Sequence, residues 1–166
     1  MKNTLFTIML CLSMISCWYS DDGGDTFIAT SAYEAVILSR TELENSITLE
    51  QARAIEETGK IYVVANYLFV NEPNVGFHIV NNTNPSSPVV EKFLTTPGVT
   101  DIILKGDSFY INQAVDLVAL KFNAALTNIT ETKRVRNVFP ILLSPDGYLP
   151  ELGTDEIVVN WTLNLN

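Results

Sequence analysis

The chain has 166 residues, with 10 Lys and Arg against 19 Asp and Glu, a formal charge of −9, two cysteines and one histidine. An acidic chain lacks the basic patch that displaces counterions from phosphates, which argues against nucleic acid as a partner. One histidine and two cysteines cannot build a tetrahedral metal site without carboxylate help, so no metal and no cofactor is expected. At 47% hydrophobic and 17% charged residues the composition is globular, with length for about one domain.

Residues 1–16 read as a targeting segment. Lys2 supplies the positive start and Leu5 to Ile15 is an uncharged run, shorter than the roughly 20 apolar residues that span a bilayer but of secretory-signal length. Met14-Ile15-Ser16-Cys17 resembles the lipobox of bacterial lipoproteins, with Met where Leu is usual. The resemblance implies cleavage before Cys17 and lipid attachment to it, and so a membrane anchor. The alternative is an ordinary signal peptide in which Cys17 is incidental. Residues 17–32 form an acidic tether, kept solvated by its charge. Its Ser20-Asp21-Asp22 resembles the export tag of surface lipoproteins of Bacteroidota, and reads equally as a plain linker. A calcium loop on Asp21, Asp22 and Asp25 would lack further oxygen ligands.

Residues 33–59 form a leader with one short helix. It starts at the capping box Ser39-Arg40-Thr41-Glu42 and is expected to end near Ile47. From Lys60 the chain becomes a series of short apolar runs, rich in β-branched and aromatic residues and separated by Gly, Asn, Asp and Pro, as in an all-β protein. The runs repeat: Tyr67 to Asn71 matches Ser108 to Asn112, Gly76 to Val80 matches Asp116 to Leu120, and Val89 to Glu91 matches Ile129 to Glu131. Four strands in roughly 40 residues is the period of a propeller blade. The expected fold is therefore an all-β partial β-propeller of two four-stranded blades, over residues 60–98 and 99–140, followed by an acidic tail, 141–166, with one strand at Glu156 to Leu163. A β-sandwich with coincident spacing is the alternative. The last strand of each repeat carries charge, Glu91 and Lys92 or Glu131, Lys133 and Arg134, as expected where an exposed edge must resist pairing.

The segments Tyr67 to Asn71, Gly76 to Pro88 and Pro97-Gly98 resemble the LVIVD-type repeat of predicted β-propeller proteins. Together with Tyr33 to Ile47, Asp116 to Val118 and Lys133 to Pro140 they resemble the N-terminal half of a group of Bacteroidota lipoproteins. The second repeat departs from the pattern, because Asn123 to Asn128 lacks the prolines. Relatives in that group carry further blades, so the resemblance implies a truncated relative. Two blades would leave an apolar face open, to be covered by a homo-oligomer or by blades supplied elsewhere.

Residues of catalytic type are sparse. His78 lies between Phe77 and Ile79 in an alternating strand and reads as a polar strand position. No G-x-S-x-G turn or phosphate-binding glycine loop exists, and Glu56-Glu57 and Asp155-Glu156 are adjacent acids of a solvated kind. The strand spacing of Tyr67, Phe69, Phe77, Phe109 and Tyr110 points to core packing rather than sugar stacking. No catalytic, cofactor or metal residue is assigned. The reading is a non-enzymatic lipoprotein of the cell envelope, lipid-anchored at the outer membrane through Cys17, that binds a protein or glycan or acts as a scaffold. The alternative is a hydrolytic propeller using the loops Glu72 to Val75 and Gln113 to Val115, for which Glu72 and Asp116 are the available acids. Without residues 1–16 the net charge is −10, distributed as −7 over 17–59, +1 over 60–136 and −4 over 137–166. The repeat region is thus nearly neutral and the acidity flanks it.

Overall fold

The computed structural model describes residues 31–123 and 125–165. The signal segment, Cys17 and nearly all of the expected tether lie outside the described residues. The fold is all-β. Among the described residues there are strands β1 (Tyr33–Ser39), β2 (Thr48–Gln51), β3 (Ile61–Val64), β4 (Tyr67–Glu72), β5 (Gly76–Asn81), β6 (Val89–Thr95), β7 (Ile102–Lys105), β8 (Ser108–Gln113), β9 (Asp116–Phe122), β10 (Ile129–Val135) and β11 (Glu156–Leu163), and one helix, α1 (Arg40–Asn45). The capping box forms: the Ser39 hydroxyl accepts from the Glu42 N–H at 3.2 Å and the Glu42 carboxylate accepts from the Ser39 N–H at 2.8 Å. The helix stops at Asn45, short of Ile47, because the N–H and hydroxyl of Ser46 fold back onto the Leu43 carbonyl.

Three antiparallel sheets form, with strand orders β2-β6-β5-β4-β3, β10-β9-β8-β7 and β1-β11. The first two are built on the same four-stranded meander, and their registers coincide. Ile61 opposite Val70 becomes Ile102 opposite Ile111, and Glu72 opposite Gly76 becomes Gln113 opposite Asp116. Even the β-bulge recurs. Glu91 is left unpaired between Val90 and Lys92, and Thr132 between Glu131 and Lys133. The bulges align Val90 with Glu131, so the correspondence of the outer strands is one residue away from the match read in the sequence. Turn geometry repeats as well: Ala65 (φ 51) and Gly106 (φ 66) open the first hairpin of each meander, and Asn74 (φ 61) and Ala114 (φ 48) lie in the second.

The two meanders stack face to face. Tyr62, Phe69, Phe77, Ile79 and Leu94 of the first sheet meet Ile102, Phe109, Ile111, Val118 and Leu120 of the second, with Phe69 and Phe109 at 5.2 Å between ring centres. Truncating one such buried phenylalanine costs about 3–5 kcal/mol. The repeat correspondence carries Tyr62, Phe69, Phe77 and Ile79 onto Ile103, Tyr110, Leu117 and Ala119, which lie on the opposite face of the second sheet. The stack is therefore head to tail: front of the first sheet on back of the second.

Two elements of the leader were not expected as strands. β2 pairs with β6, so the charged strand β6 is not an edge, whereas β10, with Glu131 and Lys133 exposed, is one. β1 pairs with β11, and Leu38, Leu43, Ile157 and Val159 pack over Ala114 and Val115 at the turn between β8 and β9. The first strands of the meanders are more open than their apolar sequence implied, with Ile61 57%, Val63 73% and Ile103 65% exposed.

Ala65 occupies a left-handed position that its repeat partner fills with glycine. Ala65→Gly should raise the unfolding free energy by about 0.5–1 kcal/mol, measured by urea denaturation. At Gly98 (φ 79) a Cβ would lie 2.8 Å from Ala114. Gly98→Ala should therefore lower stability by about 2 kcal/mol or more in the same assay.

Candidate functional site

The two acids singled out in the sequence, Glu72 and Asp116, are both buried, and each is paired with at least one arginine. Asp116, fully buried, starts β9. Its Oδ2 accepts from Arg40 Nη1 at 2.6 Å and Arg134 Nη1 at 2.9 Å, and its Oδ1 accepts from the Asn137 N–H at 3.1 Å. Arg134 makes two further bonds to Glu131. Burial by itself would raise the Asp116 carboxyl, but the hydrogen bonds from Arg40, Arg134 and Asn137 outweigh it and hold the group below the ordinary value of 3.8. A carboxylate held charged by three donors is a poor general acid or base. What it does is join α1, β9, β10 and the segment after β10.

Glu72 ends β4. Its Oε2 meets His78 Nε2 at 2.9 Å and Arg53 Nη2 at 2.9 Å, and the Arg53 guanidinium lies 3.6 Å above the centre of the Phe93 ring. His78 does face away from Phe77 and Ile79, but it is fully buried rather than solvated, with its ring edge-on to Phe93. Its Nδ1 has no hydrogen-bond partner among the described residues. A carboxylate can only accept, so the proton on Nε2 faces Glu72. Glu72 and Asp116 do not hold equivalent places: Glu72 corresponds to Gln113, which donates to the Leu43 carbonyl and the Ser46 hydroxyl, and Asp116 corresponds to Gly76. The loops Glu72 to Val75 and Gln113 to Val115 are thus occupied by structural bonding. The expected acids of the alternative, hydrolytic reading are committed to it.

The partners of both acids went unnoticed in the sequence, although a signal was present. Residues 17–59 hold nine acids and only two bases, Arg40 and Arg53, and these two reach Asp116 and Glu72. A third contact joins the sheets directly. Lys60 and Asp101 stand at equivalent positions and pair at 2.7 Å, with the Tyr62 hydroxyl donating to Asp101 at 2.7 Å. The Lys60 bond lowers the Asp101 carboxyl, while burial and then Asp101 push the Tyr62 phenol up to about 12. The ion pair is exposed and contributes at most about 1 kcal/mol.

Concavities line the surface of the described residues. One of about 610 Å³ lies on the front face of the second sheet, with Ile103, Tyr110, Asn112 and Leu117 as its floor and Phe139 beside it. One of about 420 Å³ runs between β3 and β7, lined by Ile61, Val63, Ile103 and Leu104. A smaller one, about 290 Å³, is bordered by Arg40, Arg136, Asp155 and Glu156. No group of three metal-ligating side chains occurs among the described residues. No family model, curated protein or solved structure matches the chain.

Asp116→Asn should cost about 3 kcal/mol, since it leaves Arg40 and Arg134 without their shared anion. Because the folded carboxyl titrates below its unfolded value, its contribution is complete above about pH 4 and falls away as the pH drops through the folded value. The variant should accordingly show a flatter loss of stability as the pH falls below about 4, read by urea denaturation at each pH.

Proposed function

We propose that the chain is a non-enzymatic lipoprotein of the cell envelope, related to the Bacteroidota lipoproteins with LVIVD-type repeats, in which a partial β-propeller domain binds a partner or acts as a scaffold at the outer membrane. One observation carries the reading of the domain: two four-stranded meanders with the same register and the same bulge stack front to back, as successive propeller blades do. Both sheets are open. The binding reading rests on the apolar front face of the second sheet, which offers Ile103, Tyr110 and Leu117 to a protein partner or, through Tyr110, to a glycan. It is favoured over hydrolysis because Glu72 and Asp116 are neutralised by Arg53, Arg40 and Arg134. The membrane reading rests on the lipobox-like Met14 to Cys17 and on an acidic tether that would hold a nearly neutral domain away from the bilayer.

Cys17→Ala should abolish incorporation of labelled fatty acid and shift the protein from the membrane to the soluble fraction or leave it unprocessed. Unchanged processing and fractionation would refute lipidation. Protease added to intact cells should degrade the domain if it faces outward; full protection would place it in the periplasm.

A further inference from the structure

The interface between the two sheets has one half free at one end of the stack and the other half covered at the opposite end. The front of the second sheet, Ile103, Tyr110, Leu117 and Ala119, corresponds to the front of the first, which is buried against the second sheet. The back of the first sheet, Leu68, Val70, His78 and Val80, corresponds to Phe109, Ile111, Val118 and Leu120, which receive that front. A second copy would therefore find on this molecule a front and a back of matching construction, were the back bare. It is not bare. β2 and β3 lie at opposite edges of the first sheet, so residues 52–60 must cross it, and Arg53 shows on which side: it bonds Glu72 and covers Phe93, the cross-strand neighbour of His78. Among the described residues no other side chain from 52 to 58 makes a hydrogen bond or ion pair to the sheet, and most of the segment is exposed.

We propose that residues 52–58 are a strap that blocks head-to-tail self-association, and that the front of the second sheet docks the back of the first sheet of another copy when the strap is released. The occupant is a second copy because the interface extends one the chain already makes within itself. Such an interface joins unlike surfaces, so copies add in one direction and close into a ring or grow as a chain. Gly59 and Lys60 stay anchored through their backbone bonds to Asn71, and release of residues 52–58 breaks one polar side-chain attachment, that of Arg53, in which an arginine 40% exposed bridges a buried acid and a ring. The inference stands whether or not Cys17 carries lipid.

Sedimentation velocity on the otherwise unchanged chain tests it. Arg53→Ala should self-associate at least tenfold more tightly than the wild type, and adding Ile103→Lys, at a position exposed enough to leave folding intact, should abolish the gain. The double variant, with a bare back and a charged front, should still form a one-to-one pair with the wild type and stop at two copies. A folded Arg53→Ala protein that associates no more tightly than the wild type overturns the proposal, as does association indifferent to Ile103→Lys. If Arg53→Ala proves unfolded by circular dichroism, replacing residues 53–57 by Gly and Ser at the same length gives the second test, with the same two outcomes.

Discussion

The structure depends on one constraint: each meander is apolar on both faces, so neither is stable alone and each must bury at least one face against the other. The first sheet uses its front on the second, with Phe69 against Phe109 and Phe122. The second uses its back in return. That single contact orders both sheets relative to each other and sets where their turns fall. Everything else covers what it leaves over: β2 extends the first sheet past β6, the segment 52–60 crosses its back, and the β1-β11 pair with α1 closes the end carrying the turn Ala114-Val115.

The two buried carboxylates enter this arrangement only with partners. Burying an ionised carboxylate is costly unless it is paired and hydrogen-bonded, and both buried acids recruit arginines from the leader, which is otherwise strongly acidic. The leader is thus tied to the repeats by charge as well as by strand pairing. This division also separates the roles of the two clusters. Asp116 has three donors drawn from three segments and fixes the position of α1 and the segment after β10. Glu72 has two, one of them on the exposed stretch 52–58, whose other side chains make no polar contact with the sheet, and so holds something more easily let go.

Repetition explains both the regularities and the exceptions. A one-residue difference in the turn, Pro73 to Val75 against Ala114-Val115, shifts the fifth strand by one position relative to the fourth, yet the pairing is preserved because the turn absorbs it. The same reasoning accounts for the outer strands, where the match of similar residue types pointed to one alignment and the bulge selected another. Residue type on an edge is set by solubility, whereas the bulge is set by backbone pairing, and the backbone decides the register.

The sequence alone determined the class of fold, the existence of the two repeats, the start of α1 and the strand at Glu156 to Leu163, because periodicity, turn residues and capping are local. It also showed the facing of His78, since alternation along a strand is local too. What only the tertiary structure decided is who covers what. β2 is short and polar enough to read as loop, and β1 has no partner nearby in the sequence; both become strands because β6 and β11 offer them edges to pair with. His78, Glu72 and Asp116 read as exposed or catalytic candidates, and become buried structural groups because Arg53, Arg40 and Arg134 come to them from elsewhere in the chain. Strand alternation says that a side chain faces away from its neighbours; it cannot say whether water or another part of the chain is waiting on that side.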